Sequence, residues 1–131
     1  MILDTSFLLD LKDGDHAAFE RATELYETET IQRIALPSVM ELHYGAAFVE
    51  SDDERRRIEN LLGMYPIAPM DADIARRAGE MVAAADREAG GTSGVDNEDA
   101  LIAATAERFD EPVLTHNRAD FEALNVETEG Y

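Results

Sequence analysis

The chain contains no cysteine, which excludes disulfides and thiolate-ligated metal sites. It has a single lysine, Lys12; every other basic residue apart from the three histidines is arginine. No apolar run approaches the roughly 20 residues that a membrane-spanning helix needs. The opening stretch MILDTSFLLD carries neither a basic leader nor a small-residue cleavage site, so no secretory signal is expected. Repeats, low-complexity tracts and long linkers are also missing, and the expectation is one domain over residues 1–131. What is present is enough apolar material for a packed core, 45% of the chain.

The other conspicuous feature is charge. Twenty-nine acidic residues against 11 basic ones give a formal net charge of −18. At ordinary ionic strength such self-repulsion opposes the compact state. At molar salt the Debye length falls to about 3 Å and most of it is screened. A lysine-poor acidic surface therefore suits a salt-rich cytoplasm, and it resembles that of halophilic archaeal proteins. A solvated acidic face on a protein from any source is the plainer alternative.

Periodicity lays out alternating strands and helices. Met1 to Leu3 reads as a buried strand ending at Asp4. Thr5 and Ser6 read as caps for a short helix that Gly14 ends. A helix is predicted over Ala17 to Thr28, a strand over Ile34 to Leu36, and a helix opened by Pro37 and Ser38. Asp52 and Asp53 start another helix; Pro66 to Met70 is extended; Asp71 begins a long helix through Ala89. Gly90 to Gly94 (GGTSG) reads as a loop, and Asp96 or Asn97 caps the next helix. A fourth strand covers Pro112 to Thr115, a short helix Asp120 to Leu124, and a last strand lies near Val126. This alternation predicts an α/β architecture: a mostly parallel central sheet of four to five short strands with helices on both faces.

Ligands of such sheets bind beyond the carboxyl ends of the strands. Asp4 follows the first strand, Glu41 lies one turn into the helix after the second, and Thr115, Asn117 and Asp120 follow the fourth. Carboxylates gathered in one cleft resist ionising together unless a cation resolves the repulsion. Hard oxygen donors favour Mg²⁺ or Mn²⁺, which orient a water and neutralise charge on a phosphodiester. Each acid also has an ordinary structural role open to it. Asp4 suits a helix cap, Glu41 a solvent-facing helix position, and Asp99, Asp96 and Glu98 the first turn of a helix. His16, His43 and His116 need no chemical role, although His116 lies beside the candidate site and could donate to a phosphate. The Arg55–Arg57 run suits salt bridges to Asp52, Asp53, Glu54 and Glu59.

Four stretches, taken together, carry a specific resemblance. MILDTSFLLD, PSVMELHYGA, DALIAATA and VLTHNRADF resemble, in order and spacing, the four motifs of the PIN-domain ribonucleases, and the chain is about the size of the VapC-type toxins of toxin–antitoxin pairs. The resemblance implies a PIN-like three-layer sandwich and metal-dependent cleavage of RNA. It implies Asp4, Glu41 and Asp99 as ligands of Mg²⁺ or Mn²⁺. The fourth acid of the family falls where this chain has Asn117, with Asp120 the next acid, and either could hold a metal-bound water. Thr5 or Ser6 resembles the hydroxyl beside the first acid, and Asp96 would support from outside. Arg118 and His116 are candidate phosphate contacts. A small antitoxin and a homodimer are the implied partners, with no membrane. Two alternatives within the fold remain: a catalytically silent binding module and a housekeeping RNA-processing nuclease. A haloacid-dehalogenase-like phosphatase would need a second Asp two residues after Asp4, where Ser6 stands. A response-regulator receiver would need a late lysine.

Overall fold

A computed structural model describes residues 1–131. Five short strands, β1 (Ile2–Leu3), β2 (Arg33–Ala35), β3 (Ile67–Ala68), β4 (Val113–Leu114) and β5 (Thr128–Glu129), form one sheet in the order β3-β2-β1-β4-β5. Every pairing is parallel, and the register sets Ile2 beside Arg33 and Val113, and Leu3 beside Ile34 and Leu114. Seven helices complete the fold: α1 (Thr5–Lys12), α2 (His16–Glu27), α3 (Leu36–Phe48), α4 (Asp52–Leu62), α5 (Ala72–Ala89), α6 (Asn97–Phe109) and α7 (Arg118–Glu122). No helix is long and apolar enough to cross a membrane.

Strands of two or three residues suffice because side chains alternate between faces. Ile2, Ala35 and Val113 enter one core, with Ile74, Ala78 and Met81 of α5, Ala100, Ile102 and Ala103 of α6, and Phe121 of α7. Their neighbours Leu3, Ile34 and Leu114 enter the other, with Phe7 and Leu8 of α1, Leu25 of α2, Leu42 of α3, and Ile58 and Leu61 of α4. The sheet is thus a layer between two helical layers, as the alternation of elements predicts.

Several caps act as the sequence implies. Asp71 accepts from the Ile74 N–H (3.0 Å) at the start of α5, Asp96 accepts from the Glu98 N–H (2.8 Å) at the start of α6, and Gly90 takes the left-handed conformation that ends α5 (φ 71°). Others correct it. Thr5 and Ser6 are not caps but the first residues of α1; Asp4 holds the cap position and makes no side-chain capping bond. The second strand ends at Ala35, and Leu36 already belongs to α3, because Pro37 is preset for the first helical turn. The last strand is Thr128–Glu129 rather than Val126, and the last helix starts at Arg118 rather than Asp120.

Strand order reverses its direction of growth at β1. The chain adds β2 and β3 on one side, then β4 and β5 on the other. In doubly wound sheets that reversal opens a crevice at the carboxyl ends of the strands on either side of it. Asp4 sits there, its N–H extending the ladder to the Leu114 carbonyl (3.0 Å).

Candidate active site

Asp4 is 5% exposed, among the few buried charged or polar side chains of the chain. Its Oδ2 accepts hydrogen bonds from Ser6 Oγ and Thr115 Oγ1, both at 2.8 Å. These two hydroxyls explain why the carboxylate does not fold back to cap α1. Thr115, fully buried just past β4, also receives the Asn117 N–H through the same oxygen (2.9 Å).

Glu41 enters from α3, one turn after β2, and is half-buried rather than solvent-facing. Thr5 Oγ1 donates to its Oε1 at 2.9 Å and lies 2.9 Å from the buried Ser38 Oγ. The two hydroxyls after Asp4 therefore divide their work: Ser6 holds Asp4, and Thr5 holds Glu41. Burial pushes the Glu41 carboxyl up; the bond from Thr5 opposes this, and the charges of Asp4, Glu98 and Asp96 add to it.

Asp99 lies in the first turn of α6, half-buried. A helix N-terminus favours a negative charge. Here the opposite tendency prevails: burial pushes Asp99 up to about 7, and the charges of Asp4, Asp96, Asp120 and Glu41 push the same way. Acids from four parts of the sequence therefore share one electrostatic neighbourhood. It includes Asp120 of α7, an exposed residue, and Asp96, whose carboxylate is the α6 cap. Asn117 is exposed at the start of α7 and its side chain makes no capping bond.

No group of three or more His, Asp or Glu side chains is arranged so that it could hold a metal ion as it stands. The donors are nonetheless hard carboxylate oxygens with no thiolate among them, and their mutual repulsion at Asp99 is what a divalent cation relieves. The chemistry of the donors and the charge they share at Asp99 fit such an ion.

Arg118 donates to Thr128 Oγ1 (3.2 Å) and has no carboxylate partner. That contrasts with Arg55, paired to Glu59 (3.1 Å) and Asp52 (3.8 Å), with Arg56 on Asp53, and with Arg76 on Glu80 (2.6 Å) and Arg77 on Glu107 (2.6 Å). Of the Arg55–Arg57 run, two members are salt-bridged surface residues, as their spacing predicts. His43 is half-buried; His16 and His116 are exposed. The sequence places Thr115 at this edge without a role and gives Ser38 only a helix start, since only the fold turns their hydroxyls inward. The remaining signal for Thr115 was its place just past a strand, the position that Asp4 also holds.

A family model described as PIN domain matches residues 1–126. No curated protein matches the chain. Among solved structures, the chain is similar to VapBC2 from Rickettsia felis bound to a DNA fragment from its promoter, at 18% identity and TM-score 0.81, with 99% of this chain and 97% of that one covered. DNA-bound VapBC from Salmonella typhimurium matches at 24% identity and TM-score 0.80, over 98% and 96% of the two chains. A toxin–antitoxin complex from Klebsiella pneumoniae matches at 26% identity and TM-score 0.69, over 92% and 89%.

Proposed function

The chain belongs to the PIN domain family, and on that footing we propose that it is a Mg²⁺- or Mn²⁺-dependent endoribonuclease, the toxin of a type II toxin–antitoxin pair. The observation that carries this reading is the acidic neighbourhood of Asp4, Glu41, Asp99 and Asp120 at the carboxyl edge of the sheet, with Asp99 raised to about 7. Asp4, Glu41 and Asp99 would hold the ion, which when bound supplies charge neutralisation and an activated water. The protein's own work is positioning. Ser6 and Thr115 fix the orientation of Asp4, and Thr5 fixes that of Glu41. Asp96 and Asp120 add to the negative potential that draws a cation in. Asn117, tied through its backbone to Thr115, stands where the family has its fourth acid, and either it or Asp120 would hold a metal-bound water. Arg118, free of carboxylates, and His116 meet the phosphates of the strand.

The toxin reading rests on the likeness to antitoxin-bound structures over nearly the full chain. A partner would meet exposed apolar side chains such as Phe19, Tyr26 and Met64 around α2 and α4. A homodimer would use the exposed stripe Leu36, Met40, Tyr44 and Phe48 on α3, spaced four residues apart and so on one helix face. We place the protein, as one domain over residues 1–131, in a salt-rich cytoplasm such as that of a halophilic archaeon, on the strength of its −18 charge.

The test is cleavage of a broad RNA panel in high salt by antitoxin-free protein, with Mn²⁺ or Mg²⁺ against EDTA and beside Asp4→Asn. Cleavage that requires both the ion and Asp4 is the expected result. No cleavage by folded protein would transfer the assignment to a silent binding module, the reading that Asn117 at the fourth-acid position favours.

A further inference from the structure

One side-chain cluster at the same edge of the sheet has no part in holding an ion. Asp10 lies one helical turn after Ser6 on α1, so the two share a face. Its Oδ2 accepts a 2.6 Å hydrogen bond from the Tyr131 hydroxyl and stands 3.3 Å from His116 Nδ1. The Tyr131 ring packs edge-on against Phe7, with centroids 5.1 Å apart, and against His116 at 5.8 Å. The His116 backbone N–H donates to Ser6 Oγ (3.1 Å), the same hydroxyl that donates to Asp4. His116 is therefore tied to the Asp4 network through its backbone and to Asp10 and Tyr131 through its ring.

These ties are more than an exposed loop histidine requires, since the imidazole is still 66% exposed. With Nδ1 turned to Asp10, Nε2 is the ring nitrogen left to meet a ligand, and it donates to a phosphate oxygen when the ring carries both protons. Burial, and then the bond to Asp10, push the Tyr131 phenol up, so it remains a hydrogen-bond donor at neutral pH. A side chain ordered in advance loses less entropy when a ligand arrives.

We propose that Asp10 and Tyr131 are positioning residues that hold His116 at the rim of the acidic site, where its imidazole contacts a backbone phosphate of the RNA. The inference rests on the nuclease reading and adds two residues to it. Its sign separates it from simple electrostatics. The Asp10 carboxylate repels a polyanion, so a residue acting through charge alone would bind RNA more tightly once removed. A residue acting through His116 would bind it more weakly.

The experiment measures the dissociation constant of a labelled single-stranded RNA of mixed sequence in EDTA, and kcat and KM with Mn²⁺, for His116→Ala, Asp10→Ala and Tyr131→Phe. His116→Ala is expected to raise Kd and KM about tenfold with kcat kept, the mark of a uniform binding contact. Asp10→Ala and Tyr131→Phe should each raise Kd about threefold; in a His116→Ala background Tyr131→Phe should add nothing and Asp10→Ala should weaken binding no further, because coupled residues are not additive. Tyr131→Phe keeps the ring against Phe7, so its effect reports the hydroxyl. Tighter RNA binding by Asp10→Ala, or equal losses with and without His116, would overturn the proposal. A chain that neither binds nor cuts RNA would overturn the nuclease reading and this inference together. A chain that cuts RNA with KM unmoved by His116→Ala would overturn this inference alone.

Discussion

Asp99 shows most clearly how a single residue here lowers the stability of the fold. Its carboxyl is raised to about 7 in the folded chain, against an ordinary value of 3.8. The folded state thus binds this proton more tightly than the unfolded one, so the contribution of Asp99 to stability is full below pH about 4 and is lost as pH rises through about 7. Asp99→Asn removes the charge and keeps the shape. It should raise the melting temperature at pH 8 by a few degrees, raise it by less at pH 5, and abolish cleavage at both. Thermal melts at the two pH values check this; a lower Tm at pH 8 would make Asp99 a helix-stabilising residue instead. The acids themselves were legible in the sequence, because strand ends and motif spacing mark Asp4, Glu41 and Asp99. The inward turn of the Ser38 and Thr115 hydroxyls was not, since nothing local distinguishes an inward hydroxyl from an outward one. Glu41 likewise reads as a solvent-facing helix residue until Thr5 is seen to meet it across the cleft.

At the scale of elements, the clearest signals were capping residues with a local geometric role. Asp71 and Asp96 satisfy orphan N–H groups at the starts of α5 and α6, and the sequence locates both ends within a residue. Asp71→Ala should cost about 1 kcal/mol in urea unfolding with its m-value unchanged, and should not alter cleavage, since Asp71 lies outside the acidic neighbourhood. The failures have equally local causes. Asp4 has the position of a cap but gives its carboxylate to Ser6 and Thr115, so the helix start moves forward to Thr5. The edge strand β5 is made of Thr128 and Glu129, half-buried and polar, and it presents no apolar alternation to read, whereas Val126 nearby does. The central strands were legible because alternate side chains feed two separate cores.

For the molecule as a whole, charge is the governing quantity. Cationic side chains largely engage carboxylates, and 29 acids against 11 bases leave a large surplus of negative charge spread over the surface. Exposed pairs contribute little each, so screening the surplus repulsion outweighs weakening the pairs. The melting temperature should therefore rise from about 0.1 M to about 1 M KCl, where the Debye length shortens from about 10 Å to about 3 Å. A fall would mean that the ion pairs, rather than the surplus, decide stability. The largely parallel sheet followed from the alternation of elements; its strand order, β3-β2-β1-β4-β5, came only with the structure and explains why acids far apart in sequence reach one edge.

The most direct test of this account is calorimetric titration of Mn²⁺ into the antitoxin-free chain at high salt, where diffuse binding to the acidic surface is screened. Wild type, Asp4→Asn and Asp99→Asn would be compared, with Asp86→Asn, a carboxylate that accepts from Ser93 outside the site, as control. One specific site in the wild type and the control, weakened about tenfold or more in both site variants, is the predicted result. Binding of equal strength in all four proteins would contradict the claim that Asp4 and Asp99 belong to one metal-holding centre.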